Sequence, residues 1–166
     1  SKQDWGFWSE EQVNVLNRKI YLPRGKTFGG SSSTNAMAYV RGNAADYDSW
    51  AELGNSGWSF KELLPFFKRS ENHAQFEEMD PGYHGSNGEL NVTIPTKFQS
   101  PYVKSFISAC SANGIPKNKD YNGSNQHGCN VVQSTIRNGK RDSGATAFLK
   151  PVLNRKNLTA ISFAQV

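Results

Sequence analysis

Apolar positions fall at helical spacing in three stretches of this 166-residue chain. In residues 46–53, Tyr47, Trp50 and Leu53 share one face and Gly54 supplies a stop, which predicts a helix. In residues 60–69, Phe60, Leu63, Leu64 and Phe67 form a stripe. Ser59 precedes it and Glu62 follows that serine by three positions, the spacing of a capping box. Pro65 interrupts this second helix, so it is expected to kink there or to begin later, and Phe66 and Phe67 are expected in the core. Residues 101–112 place Val103, Phe106, Ile107 and Cys110 on one face, with Pro101 in the first turn and Asn113-Gly114 at the end. Alternation of apolar and polar residues predicts short strands at 19–23, stopped by Pro23, and at 90–94, 131–136 and 158–163. Asn138-Gly139 is a turn signal, although the residues after it read as a helix capped by Ser143, running to Leu149 and ended by Pro151. Residues 1–20, with Trp5, Phe7 and Trp8, read as extended; 77–88 and 116–130 read as loops. The fold class is therefore mixed α/β (α+β).

Between these elements, Arg24 to Gly42 carries paired glycines (Gly29, Gly30), three serines (Ser31, Ser32, Ser33) and Asn35 between two basic arms. Backbone without side-chain bulk can lie flat against a ligand. Hydroxyls and amide donors at a helix start suit an anionic group, and a helix is expected from Ser32 or Ser33 to about Tyr39. The bland reading is a flexible linker; the ordered-looking sequence on both sides weighs against it. The run is neither a Walker loop nor a dinucleotide fingerprint, because the closing Gly-Lys-Ser/Thr is missing and no Gly-x-Gly-x-x-Gly occurs.

Hydrophobic residues make up 36% of the chain and mean hydropathy is −0.65, low for a self-sufficient core. The net charge of +5 favours phosphate-bearing ligands. Lys and Arg are scattered, apart from Lys117/Lys119 and Arg137/Lys140/Arg141, so nucleic acid is not an expected partner. Cys110 and Cys129 form no metal pattern or disulfide framework and are expected as free, partly buried thiols. His73, His84 and His127 show no zinc-ligand spacing, and His84, in a glycine-rich loop, reads as a turn or surface residue. Asp46 and Asp48 do not face each other on a helix and read as capping residues rather than a carboxylate pair. No apolar run is long enough for a transmembrane helix, and the compartment stays open.

Gly25, Lys26, Gly29, Gly30, Ser31, Ser32, Asn35, Tyr39, Gly42 and Asp48 match the first signature of the glucose–methanol–choline (GMC) family of flavin oxidoreductases, and residues 25–48 closely resemble it. Phe28 and Thr34 depart from its pattern, which loosens local packing without removing a ligand-facing group. The resemblance continues through Leu53 to Phe60, Leu64 to Glu71, His84 to Leu90, Asn138 to Arg141 and Ala147 to Thr159, in family order, and is nearest the choline-dehydrogenase-like branch. It implies a partial FAD/NAD(P)-binding fold with part of a substrate-domain scaffold, FAD as cofactor, and hydride transfer from an alcohol CH–OH group, with an electron acceptor as further partner. It sets Thr27, Asn35, Ala36, Met37 and Ala38 against the flavin, Gly29, Gly30 and Ser31 along its ribityl–pyrophosphate arm, and the backbone of Val166 at the adenine.

Family members are several times longer, opening on the dinucleotide loop and closing on a catalytic histidine. Residues 1–166 are therefore expected to be an internal fragment of the FAD-binding region, inactive alone and weak in FAD binding; a reduced stand-alone module is the alternative. No residue here matches the family's catalytic base or a metal ligand set. The rival functions are a non-catalytic interaction domain and a phosphate or nucleic-acid binder using the basic loop.

Overall fold

The structure, a computed structural model, describes residues 2–97 and 99–164. The chain divides into two units, Ser1–Met37 with Arg141–Val166, and Ala38–Lys140.

In the first unit, strands β1 (Phe7–Trp8) and β2 (Tyr21–Leu22) pair antiparallel, Phe7 opposite Leu22 and Trp8 opposite Tyr21. Trp5 stacks on Phe7 at 5.9 Å and Trp8 tilts against Tyr21 at 5.1 Å. The extended character expected of residues 1–20 holds at Phe7–Trp8, whereas Val13–Val15 forms a 3₁₀ turn followed by Leu16 and Asn17 at left-handed φ, and the aromatics stay largely exposed.

The helix expected from Ser32 or Ser33 to Tyr39 does not form. Gly30–Ser33 makes one 3₁₀ turn, and Met37 adopts a left-handed φ of 64°. The cause is local competition for backbone partners. Ser32 and Ser33 donate their hydroxyls to the carbonyls of Gly29 and Phe28, and Asn35 Oδ1 accepts from the Met37 amide at 3.0 Å. The segment after Ser143 is a single wide turn, Ala145–Leu149, which runs on into a 3₁₀ turn, Lys150–Val152, so Pro151 continues the winding instead of ending it. Ala145 and Ala147 are the buried apolar residues here. Residues 158–163 form no strand, since none of the described residues pairs with them.

In the second unit, α1 (Ala44–Glu52) and α2 (Phe60–Ser70) meet through Tyr47, whose ring lies 5.3 Å from Trp50, 6.1 Å from Phe60 and 5.5 Å from Phe67. Both helices open on capping boxes, Asn43 with Asp46 and Ser59 with Glu62. Asp48 accepts from the Phe60 amide at 2.9 Å, so both aspartates do serve helix starts. Helix α2 runs through Pro65 from Phe60 without a later start. Phe67 is half-buried, but Phe66 is 62% exposed, because only the stripe of Phe60, Leu63, Leu64 and Phe67 faces inward. Replacing Ser59 with Ala removes one side of its box and is expected to cost about 1 kcal/mol in a urea titration.

Strand β3 (Glu71–His73) pairs parallel with β4 (Leu90–Val92), and Thr93 and Ala38 each bridge Ser134. Helix α3 (Pro101–Ala112) matches its expected bounds, with Val103, Ile107 and Cys110 half-buried and Phe106 exposed. Of the stretch expected as a strand at 131–136, Ser134 bridges and Ile136 opens β5 (Ile136–Arg137). After Asn138-Gly139 the chain does return, as β6 (Lys140–Arg141), contrary to the helical reading. Asn138 and Gly139 take φ of 51° and 73°, the left-handed pair of a tight hairpin turn, and this local geometry outweighs the weak helical pattern behind it.

Val92 is the one apolar side chain fully buried in this unit among the described residues. The interior is polar instead: Arg41, Glu71, His73, His84, Asn122 and Gln133 are all buried.

Candidate functional site

The Gly25–Ser33 bend is tied to its own unit at several points. Lys26 N donates to Gln3 O at 2.8 Å, Gly25 N to Ser31 Oγ at 3.2 Å, and Gly30 N to Thr27 O at 2.9 Å. Gly144 N donates to Ser32 Oγ at 2.8 Å, and Arg141 Nη1 to Asn35 Oδ1 at 2.6 Å. Gly25 is buried, and a Cβ on it would fall 2.3 Å from Gly30 O. Gly29 has φ +85°, and a Cβ on it would fall 2.6 Å from Ser33 Oγ and 2.9 Å from Ala145 N. Both positions therefore demand glycine.

Beside the bend lies an open groove of about 670 Å³ walled by Trp5, Lys26, Thr27, Phe28, Ile161 and Phe163. The Lys26 ammonium sits 4.6 Å from the Trp5 ring centroid, a cation–π contact that gives this wall a positive charge on an aromatic floor. Of the residues expected at a cofactor, Thr27 lines this groove. Ser31, Asn35 and Ala36 are exposed, and Gly29, Gly30 and Met37 are half-buried, elsewhere on the same unit. Ala38 is exposed in the second unit, bridged to Ser134, and Val166 lies outside the described residues. The serine hydroxyls, expected to greet an anion, turn back onto the loop, and the amides of Gly30, Ser32, Thr34, Asn35 and Met37 are also taken there. Asn35 spends its carbonyl oxygen internally and keeps its amide NH₂ as a donor.

The second unit holds an ionic core that no sequence spacing marks. Arg41 Nη2 donates to Glu71 Oε2 at 2.7 Å. His84 sits between two carboxylates, Nδ1 at 3.0 Å from Glu71 Oε1 and Nε2 at 2.7 Å from Asp120 Oδ2. Gly85 N also donates to Glu71 Oε2, at 3.0 Å. Asp120 Oδ1 accepts from Gln133 Nε2 at 2.9 Å, Gln133 Oε1 from Asn122 Nδ2 at 2.8 Å, and Asn122 Oδ1 from Arg41 N at 2.8 Å. The Arg41 guanidinium packs 5.4 Å from the Phe67 ring.

His84 is thus 1% exposed, not a turn or surface residue. Its loop folds under α2, and two carboxylates compensate its burial. Burial alone would drive off its proton, but hydrogen bonds to Asp120 and Glu71 overcome this and raise its pKa to about 9. Burial would likewise raise Asp120, yet the His84 bond holds it below the ordinary carboxylate value. Burial lowers His73. Glu71, His73 and His84 bring ligand atoms within 4.8 Å of one another. The donor set does not suit a cation: Arg41, His84 and Gly85 already saturate Glu71, and both His84 nitrogens face carboxylates, which leaves His73 Nε2 as the one buried nitrogen of the three residues without a partner.

Three comparisons bear on this architecture. The chain is 46% identical over 157 residues to the oxygen-dependent choline dehydrogenase of Rhizobium etli, covering 95% of this chain and 28% of that protein. It therefore spans little more than a quarter of its relative's length. Among solved structures, pyridoxine 4-oxidase from Mesorbium loti superposes with a TM-score of 0.89 at 34% identity, over 96% of this chain and 31% of that one. An FAD-dependent oxidoreductase from Chaetomium thermophilum superposes with a TM-score of 0.84 at 30% identity, over 93% of this chain and 28% of the other. The GMC oxidoreductase family model matches residues 11–166. With the signature loop, the mixed helix-and-strand fold and a family match across nearly its whole length in agreement, the chain belongs to the GMC oxidoreductases.

Proposed function

We propose that this chain forms one wall of the FAD site of an oxidoreductase that acts on the CH–OH group of an alcohol such as choline, with a separate electron acceptor completing the cycle. The reading rests on the Gly25–Ser33 bend: bare backbone locked by internal hydrogen bonds next to an aromatic, lysine-bearing groove. Such a fixed surface accepts a flat ring system without paying to order itself first.

The residues fit the cofactor's chemistry in parts. Gly29, Gly30 and Ser31 offer a wall with little bulk for the ribityl–pyrophosphate arm, and Lys26 supplies charge for phosphate. The Asn35 amide NH₂ offers a donor to a ring heteroatom, while Ala36 and Ala38, both exposed, let backbone come close. Thr27 lines the groove, and the backbone of Val166 is assigned to the adenine by family pattern alone. FAD bound there would supply the hydride acceptor for oxidation at the alcohol carbon. No residue of this chain is assigned as the base. The Ser32 and Ser33 hydroxyls are donated within the loop, and the family match supports the flavoprotein reading over a stand-alone phosphate or nucleic-acid binder.

The test uses the longer protein that contains this segment. Purified, it is expected to be yellow with a flavin spectrum, and anaerobic choline or another primary alcohol should bleach it. Gly29→Ala should abolish the flavin absorbance, with far-ultraviolet circular dichroism confirming a folded variant. A colourless wild-type protein that elutes from DNA in a strongly salt-dependent way would overturn the assignment.

A further inference from the structure

Cys110 and Cys129 lie on two segments of the second unit that fold back on each other. Helix α3 ends at Ala112, and Ile115 N donates to Cys110 O at 2.9 Å as the chain reverses. The chain then meets residue 129 in a parallel bridge, with Cys129 N donating to Pro116 O at 2.9 Å and Asn118 N to Cys129 O at 3.0 Å. The Cys129 thiol reaches the last turns of α3, its Sγ 3.9 Å from Ile107 O. A helical side chain leans back over the turn before its own Cα, which carries the Cys110 thiol toward the same carbonyl. Cys129 is close enough to perturb the Cys110 thiol, and both are free and half-buried.

We propose that Cys110 and Cys129 are a reversible redox pair that closes to a disulfide on exposure to hydrogen peroxide. One thiolate attacks a peroxide oxygen, the O–O bond breaks, and a sulfenic acid and hydroxide form. The second thiolate attacks the sulfenic sulfur, the S–S bond forms, and water leaves after protonation. In sum two thiols and one hydrogen peroxide give one disulfide and two waters. The Cys129 Sγ lies against the Ile107 carbonyl, three positions before Cys110 on α3, so side-chain rotation supplies the remaining approach. The bond would close the 110–129 loop, which carries Asp120, Tyr121 and Asn122 into the ionic core. Burial and the neighbouring thiol push the Cys110 thiol up, so closure should speed up as pH rises.

The experiment treats the full-length protein with hydrogen peroxide at about pH 8, blocks free thiols with N-ethylmaleimide and maps unreduced peptides by mass spectrometry. The expected result is loss of both free thiols at these positions, one intramolecular 110–129 cross-linked peptide lighter by two hydrogens, and its release by dithiothreitol. Cys110→Ser and Cys129→Ser should each abolish the cross-link while keeping the fold, and oxidised wild type should show slowed amide exchange over 116–130. Recovery of both cysteines as maleimide adducts or as sulfonic acids, or a cross-link that forms only between molecules, would overturn the pairing.

Discussion

Glu71→Gln is expected to cost about 3–5 kcal/mol, the cost of breaking a buried ion pair. Glu71 is 0% exposed and accepts from Arg41, His84 and the Gly85 amide. Glutamine keeps the shape but loses the charge and turns one acceptor into a donor. Arg41 then faces no anion, and His84 keeps Asp120 alone. A loss of that size is a large share of the roughly 5–15 kcal/mol that holds a domain together. A urea titration followed by circular dichroism should show the midpoint fall sharply, or the variant should fail to accumulate folded. A change below about 1 kcal/mol would mean that the ionic core is solvated in solution.

Stability should also trace a dome in pH, highest around the ordinary histidine pKa of 6.5. His84 titrates at about 9 when folded, so its contribution is complete below 6.5 and drains away as pH climbs through 9. A gap of that size is worth roughly 3 kcal/mol. The acid flank has two causes. Asp120 is held below its ordinary 3.8, so its contribution is present above 3.8 and lost as pH drops through the lower folded value. His73, kept neutral by burial, costs stability as pH falls below 6.5 and the unfolded chain takes up the proton. Arg41 and Glu71 complete the charges facing this imidazole. Denaturant midpoints across pH, together with the NMR titration of the His84 ring, test the sign. An imidazole that titrates near 6.5, with a flat alkaline limb, would rule the arrangement out.

The helices were legible because their signals are contiguous. Ser59 and Glu62 sit three apart and cap α2, and α3 carries its stripe and its Asn113-Gly114 stop within 14 residues of chain. Errors fell where short-range competition or a missing neighbour decided. Ser32, Ser33 and Asn35 gave their side chains to nearby backbone, and the expected helix became a turn. Residues 158–163 have a strand's alternation but no strand beside them among the described residues, and alternation alone makes no ladder. His84 looked exposed because its glycine neighbours suggest a surface turn, whereas Glu71 and Asp120 close over it.

The amino-acid order by itself determined the family, the capped helices and the glycine bend, since each is written in neighbouring residues. Folding alone decided the polar interior: Arg41, Glu71, His84, Asp120 and Gln133 come from distant positions, and no periodicity links charges whose only common property is that they meet in space. In a chain this poor in apolar residues, the second unit fills its interior with paired charges, and pairing is a matter of distance in three dimensions.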